Sequence, residues 1–128
     1  MSNVPGGLKY TKEHEWVKIE GKTATVGITD HAQEQLGDIV FVELPKVGAS
    51  VVFMKPMAVI ESVKAASDVF SPLTGTVSAV NDKLTQTPDA INKDCYGAGW
   101  LVKIDISSAV ELAQLMDHEA YTELIEKA

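Results

Sequence analysis

Lys64 is the residue best placed for chemistry in this chain. It sits in the run Glu61-Ser62-Val63-Lys64-Ala65-Ala66-Ser67-Asp68, between small residues and with a carboxylate on either side. An apolar stretch, Met57 to Ile60, leads in, and a strand-like stretch, Asp68 to Ser71, leads out to Pro72. That pattern predicts a hairpin with the lysine at its tip. An amine presented between side chains too small to obstruct an approaching enzyme suits covalent modification. Lys64 is then a point of attachment with no catalytic role of its own. The plain alternative is an ordinary lysine in a surface turn; the context of Glu61, Val63, Ala65 and Asp68 favours attachment.

Other constellations offer less. His14, His31 and His118 lack any paired ligand spacing, so no metal site is expected. Glu13-His14-Glu15 has the composition of an acid–base cluster, but neighbouring residues of a strand face opposite ways, which predicts structural roles for all but Glu15. Phe53-Met54-Lys55-Pro56-Met57 faintly resembles the methionine-lysine-methionine site of biotin carriers. The proline after Lys55, and its offset from the hairpin tip, make that lysine a decoy. Cys95 falls in a polar loop and reads as incidental. There is no nucleophile–base–orienter set and no nucleotide-binding loop, so the chain is not expected to be an enzyme.

Composition narrows the partners. With 128 residues, 45% apolar and 23% charged, the chain fits one soluble domain over residues 1–128, large enough for a core and too small for a second. All 11 basic residues are lysines, so bidentate guanidinium clamps for phosphate or guanine are absent. A net charge of -7 makes nucleic acid and anionic membranes poor partners and favours basic or mixed-charge protein surfaces. A single cysteine rules out an intrachain disulfide and fits a reducing compartment. Met1 to Leu8 has neither an apolar signal core nor an arginine-rich presequence pattern, and no apolar run approaches membrane-spanning length. A cytoplasmic monomer is the expectation.

The elements that must position Lys64 are mostly short strands. Trp16 to Ile19 and Thr23 to Ile28 flank the turn Glu20-Gly21-Lys22. Asp30 is expected to cap a short helix, with Gln33 as capping-box partner and Gly37 as the stop. Asp38 to Leu44 is extended again, closed by Pro45, and turns are expected at Val47–Val51 and at Thr74–Val77. The polar stretch Asn81 to Gly99 is a long connection, with one helical turn near Thr87–Ile91. Trp100 to Ile106 is a strand. Ser108 with Glu111 predicts a capping box, Val110, Leu112, Leu115 and Met116 an apolar helical face, and Tyr121, Leu124 and Ile125 its continuation. A β-rich domain with a carboxy-terminal helical cap results.

Several stretches together resemble a known family. Thr11-Lys12-Glu13-His14-Glu15-Trp16-Val17, Val26 through Gln33, Leu36 through Pro45 and Glu61-Ser62-Val63-Lys64-Ala65 are similar to the H proteins of the glycine cleavage system. So are Asn81, and Tyr96-Gly97 through Gly99-Trp100-Leu101-Val102-Lys103-Ile104. The likeness runs in register from residue 8 to residue 125.

The resemblance implies a barrel-sandwich hybrid of the lipoyl-domain kind, with short helices appended. It implies lipoate in amide linkage on Lys64, within an attachment site made with Glu61, Ser62, Val63 and Ala65, and a lipoate-attaching enzyme as a partner. It also implies three partners: the P protein (a pyridoxal-phosphate glycine decarboxylase), the T protein (an aminomethyltransferase using tetrahydrofolate) and the L protein (dihydrolipoamide dehydrogenase). Family members shelter the loaded arm in a cleft, and Glu15, Gln35 and Asp68 stand at cleft positions, with Glu15 and Asp68 able to pair with the cargo amine. An H-like protein serving chiefly as lipoyl donor or relay to other lipoyl domains would share these features.

Two departures stand out. Gln35 replaces a histidine found in some members, so an imidazole role in the cleft is lost or passes to another group. Met54 replaces a glycine in a turn that is usually lysine-rich. If that turn keeps a positive φ, Met54 is strained by about 1 kcal/mol. Either the turn has changed geometry, or exposed Phe53 and Met54 form an apolar partner-contact patch.

Overall fold

The computed structural model describes residues 2–127. The β-branched runs form strands: β1 (Lys9–Tyr10), β2 (Glu15–Glu20) and β3 (Thr23–Ile28) precede helix α1 (Asp30–Leu36). Then come β4 (Ile39–Glu43), β5 (Ser50–Val51), β6 (Pro56–Ser62), β7 (Ala66–Phe70) and β8 (Gly75–Val80). Helix α2 (Ala90–Lys93), β9 (Val102–Ile106) and helix α3 (His118–Glu126) complete the order. Short 3-10 turns lie at Asp82–Thr85 and Ala109–Gln114.

Six strands make one antiparallel sheet, β1-β2-β3-β9-β8-β5, and three make another, β4-β6-β7. Neither closes into a barrel. Alternate residues of both sheets, among them Val26, Ile28, Ile39, Val42, Ile60, Val77 and Ile104, fill a shared core. The helical cap covers a second cluster, in which the rings of Tyr10 and Tyr121 stack with centroids 4.7 Å apart beside Trp16.

The hairpin of β6 and β7 takes the expected form. Val59 pairs with Asp68, Ile60 with Ser67 and Glu61 with Ala66, which leaves Lys64 in the turn between the strands. Ser62 knots that turn: its backbone N–H donates to the Ala65 carbonyl at 2.8 Å, and its hydroxyl accepts from the N–H of Ala65 at 3.1 Å. The Val63 N–H donates to the Asp38 carbonyl at 3.1 Å, tying the tip to the residue before β4. The long connection is locally built, as its length suggested. The Asn81 side chain donates to the carbonyls of Ala98 and Trp100, both at 2.8 Å, while Leu84 and Ile91 are buried.

Several local expectations were displaced by tertiary contacts. Thr29, not Asp30, caps α1; its hydroxyl accepts from the Ala32 N–H at 3.2 Å. Asp30 lies inside the first turn and accepts from the Gln33 side chain at 2.7 Å. Gly37 ends the helix as expected, with φ of 80°. Thr74–Val77 is no turn: the bend falls at Pro72–Leu73 and Gly75 starts β8. A side chain there would collide with the Asp105 carbonyl of β9, so close strand approach explains that glycine.

The tail is two pieces. Ser108 makes no side-chain cap, Val110 is 80% exposed, and Tyr10 pairs with Met116 between the pieces. Leu112 and Leu115 pack on Val17, Ala24 and Leu73.

Met54 has φ of 59°, so the turn kept its left-handed residue in place of changing geometry. The Met54 N–H donates to the Ser71 carbonyl at 2.7 Å, which holds it there. The exposed patch is also corrected: Phe53 and Met54 are half-buried, lining a groove with Thr11, Lys12, Gln114, Leu115 and Met116.

Glu111 turned from cap to brace. Its carboxylate accepts from the Thr74 N–H and the Thr74 hydroxyl, both at 2.6 Å, joining the tail to the start of β8. Glu111→Ala is predicted to lower unfolding free energy by about 1.5–3 kcal/mol, the range for hydrogen bonds to a charged group, measurable by urea titration.

Candidate functional site

Lys64 is exposed at the hairpin tip. Its side chain lies beside Gly37, where an added Cβ would sit 3.6 Å from Cε and 4.0 Å from Nζ. A cleft of about 170 Å³ lies between α1 and β7, and its lining includes Leu36, the residue before Gly37. Ile28, Ala32, Leu36, Ile60 and Val69 supply its apolar lining, and Glu13, His14, Glu15, Gln35, Ser67 and Asp68 its polar lining. Glu15, Gln35 and Asp68, proposed from sequence as cleft residues, therefore meet in one place. Asp68 and Gln35 are exposed at its rim and Glu15 is buried in its floor. Of the residues around the lysine, Glu61, Val63 and Ala65 are exposed, whereas Ser62 is buried as the turn's knot.

The chemistry of the cleft centres on Glu15. It is 1% exposed, accepts from the Thr11 hydroxyl, and accepts from the Phe70 N–H at 3.2 Å. The ion pairs found among the described residues, Lys93–Asp89 and Lys127–Glu123, lie elsewhere. Burial pushes its carboxyl up to about 7, against the pull of those two hydrogen bonds, and the charge of Glu13 adds to the rise. At neutral pH this carboxyl is poised between acid and anion. A cation entering the cleft would draw off its proton.

His14 corrects the strand argument. It precedes β2 with φ of 73°, so it and Glu15 do not alternate across a sheet; Glu13, His14 and Glu15 all border the cleft. Its Nδ1 lies 2.8 Å from the Tyr121 hydroxyl, which lies 2.7 Å from the Thr29 hydroxyl. Its ring also sits 4.8 Å from that of His31. Burial lowers the His14 pKa and the neighbouring His31 lowers it further, so the imidazole is neutral near pH 7. The cleft thus has an imidazole, supplied from the strand side while position 35 is glutamine. Sequence gave no signal for the Tyr121 contact, since the partners are 107 residues apart. No group of three metal-ligating side chains occurs among the described residues.

Cys95 is a core residue and not an incidental loop thiol. It is 6% exposed, burial pushes its pKa up to about 12, and its carbonyl accepts from the Trp16 indole at 2.9 Å. Lys55 is exposed in the Met54 turn and borders neither the cleft nor the hairpin tip.

The family model described as Glycine cleavage H-protein matches residues 8–128. The chain belongs to the glycine cleavage H-protein family. A glycine cleavage system H protein of Myxococcus xanthus is 53% identical over 126 residues, covering 98% of each chain. One from Thermotoga maritima is 59% identical over 115 residues, covering 90% of this chain and 93% of the relative. A crystal structure of a glycine cleavage system H protein from Mycobacterium marinum superposes with a TM-score of 0.87 at 36% identity, covering 94% of this chain and 97% of that one. Membership makes the chain a lipoyl carrier of the glycine cleavage system, a subunit that performs no catalysis by itself.

The Glu15 shift has a thermodynamic consequence of definite sign. A carboxyl raised from 4.5 to about 7 on folding stabilises the fold most when both states are protonated, and that contribution is lost as pH rises through about 7. Glu15→Gln mimics the protonated form. The variant is predicted to be more stable than the parent at pH 8, with the gap closing towards pH 4.5, checked by thermal melts of both proteins across that range.

Proposed function

We propose that Lys64 carries lipoate in amide linkage and that the chain, acting as one monomeric unit over residues 1–128, moves the aminomethyl group of glycine between enzymes. The P protein loads it, the T protein unloads it, and the L protein restores the disulfide. When bound, lipoate supplies the sulfur that takes up the aminomethyl group and the dithiol that is reoxidised. The supporting observation is the placement of Lys64: an exposed amine on a knotted, anchored turn, beside Gly37 and near a cleft lined by the carboxylates of Glu13, Glu15 and Asp68.

The residues of this chain do the holding. Ser62 and Asp38 fix the base of the tether, so its freedom begins at the Lys64 side chain. Acylation removes one positive charge from a chain already at -7 and frees the arm from any attraction to Asp38 or Glu61. A tethered group meets each docked enzyme at an effective concentration set by the arm, so no small cofactor need diffuse. Glu15 and Asp68 receive the cationic amine of the cargo, Glu15 giving up its proton as the cation arrives. Gln35 adds a neutral polar contact at the rim. Ile28, Leu36, Ile60 and Val69 exclude water from the floor, which protects a group that hydrolyses in bulk solvent. The cytoplasm is the proposed compartment: the one cysteine is a buried free thiol, and no helix among the described residues is long and apolar enough to cross a membrane.

Two experiments test this reading. Intact-mass and fragmentation analysis is expected to find the lipoyl increment on Lys64, and Lys64→Arg is expected to abolish glycine breakdown in a mixture with the P, T and L proteins. Turnover retained by that variant would refute the assignment. Glu15→Ala and Asp68→Ala are each expected to shorten the lifetime of the methylamine-loaded form; an unchanged lifetime in both removes the carboxylates from the holding role.

A further inference from the structure

The exposed apolar side chains of this fold are unevenly placed, and three of them stand around the base of the lysine hairpin. Val40 is 53% exposed, Phe41 49% and Val63 72%. Val40 and Phe41 lie on β4, the edge strand of the three-stranded sheet. Strand alternation should bury one of two consecutive residues, but a register irregularity between Ile39 and Phe41 turns both outward. The same pairing brings them to the tip: Ile39 is opposite Ser62, Phe41 is opposite Glu61, and the Val63 N–H bonds the Asp38 carbonyl. The exposed acidic residues Asp38 and Glu43 flank this stretch of β4 along the chain, and exposed Glu61 pairs with Phe41 across the strands.

We infer that Val40, Phe41 and Val63 form the docking surface for the enzyme that acylates Lys64, through an apolar recess on that enzyme bordered by basic side chains. The inference rests on Lys64 being the attachment site. Continuity with the lysine selects this partner. An enzyme acylating the ε-amine must bring its activated carbonyl to bonding distance of Nζ, so it has to cover the hairpin and the strand beside it. Enzymes that work on the far end of the arm need not touch its root. In the acylation the deprotonated Lys64 amine attacks the carbonyl carbon of a lipoyl adenylate. A C–N bond forms, the C–O bond to phosphate breaks, AMP leaves with that electron pair, one of the two amine protons passes to solvent and the other stays on the amide nitrogen. These acidic residues fit a partner that must also hold a negatively charged adenylate and is therefore basic near its active site.

The test uses the full-length unmodified chain with a purified lipoate-attaching ligase, lipoate and ATP. Val40→Ser/Phe41→Ser is expected to lower kcat/KM for the protein substrate at least tenfold, mainly through KM, with the melting temperature unchanged. Val63→Ser, on the turn and outside the sheet, should show the same loss and keeps the test valid if the double variant melts early. Driven to full modification with excess ligase, the double variant should serve glycine decarboxylase with an unaltered KM. Unchanged ligase kinetics in both variants overturns the inference, and so does a raised decarboxylase KM of similar size. Failure of the parent chain to gain lipoate on Lys64 would instead overturn the attachment reading on which the inference stands.

Discussion

The pairing of β6 with β7 constrains everything else in the functional end of the molecule. Side chains of a strand alternate faces, so a one-residue slip in this hairpin would exchange the core-facing Ile60 and Val69 for outward-facing neighbours. It would also move Lys64 off the turn and carry Asp68 away from the cleft. The register is held from three directions: by the apolar residues that must face inward, by the Ser62 knot, and by the bond from Val63 to Asp38. The backbone that carries Lys64 is therefore fixed on both sides, and the freedom of that position begins at its side chain.

Glu15 shows how the cleft reconciles burial with charge. A carboxylate in an apolar floor is costly unless paired, and this one has hydrogen bonds from Thr11 and Phe70 but no cation. Burial wins over the hydrogen bonds, so the group meets neutral pH part-protonated. The arrangement is a vacancy in charge terms: its natural complement is a small cation, which matches an amine-bearing cargo better than a neutral one. His14, kept neutral by burial and by His31, borders this place without supplying that cation.

Much of the fold was legible because it rests on local patterns. The β-branched runs, the turn at Gly21, the stop at Gly37 and the hairpin around Lys64 each carry their signal in a few adjacent residues. The candidate site was half legible: of the residues named from sequence and family likeness, Glu15, Gln35 and Asp68 line one cleft, while Lys64 lies beside Gly37, next to the cleft residue Leu36. What escaped depended on distant contacts. Thr29 took the cap from Asp30 because its hydroxyl also serves Tyr121, far along the chain. Glu111 left its capping box for Thr74. His14 broke the strand alternation by a single left-handed φ, which no propensity for histidine announces.

The order of strands in the larger sheet also bears on how the molecule is made. β9, one of the last strands to be synthesised, lies between β3 and β8, and the Tyr121 that meets His14 comes later still. A nascent chain emerging from the ribosome therefore has its lysine hairpin outside the exit tunnel well before the sheet can be completed. Closure of the architecture waits for translation to finish, as long-range pairing generally must. The lysine hairpin and the sheet it packs against thus mature at different moments in the life of the polypeptide.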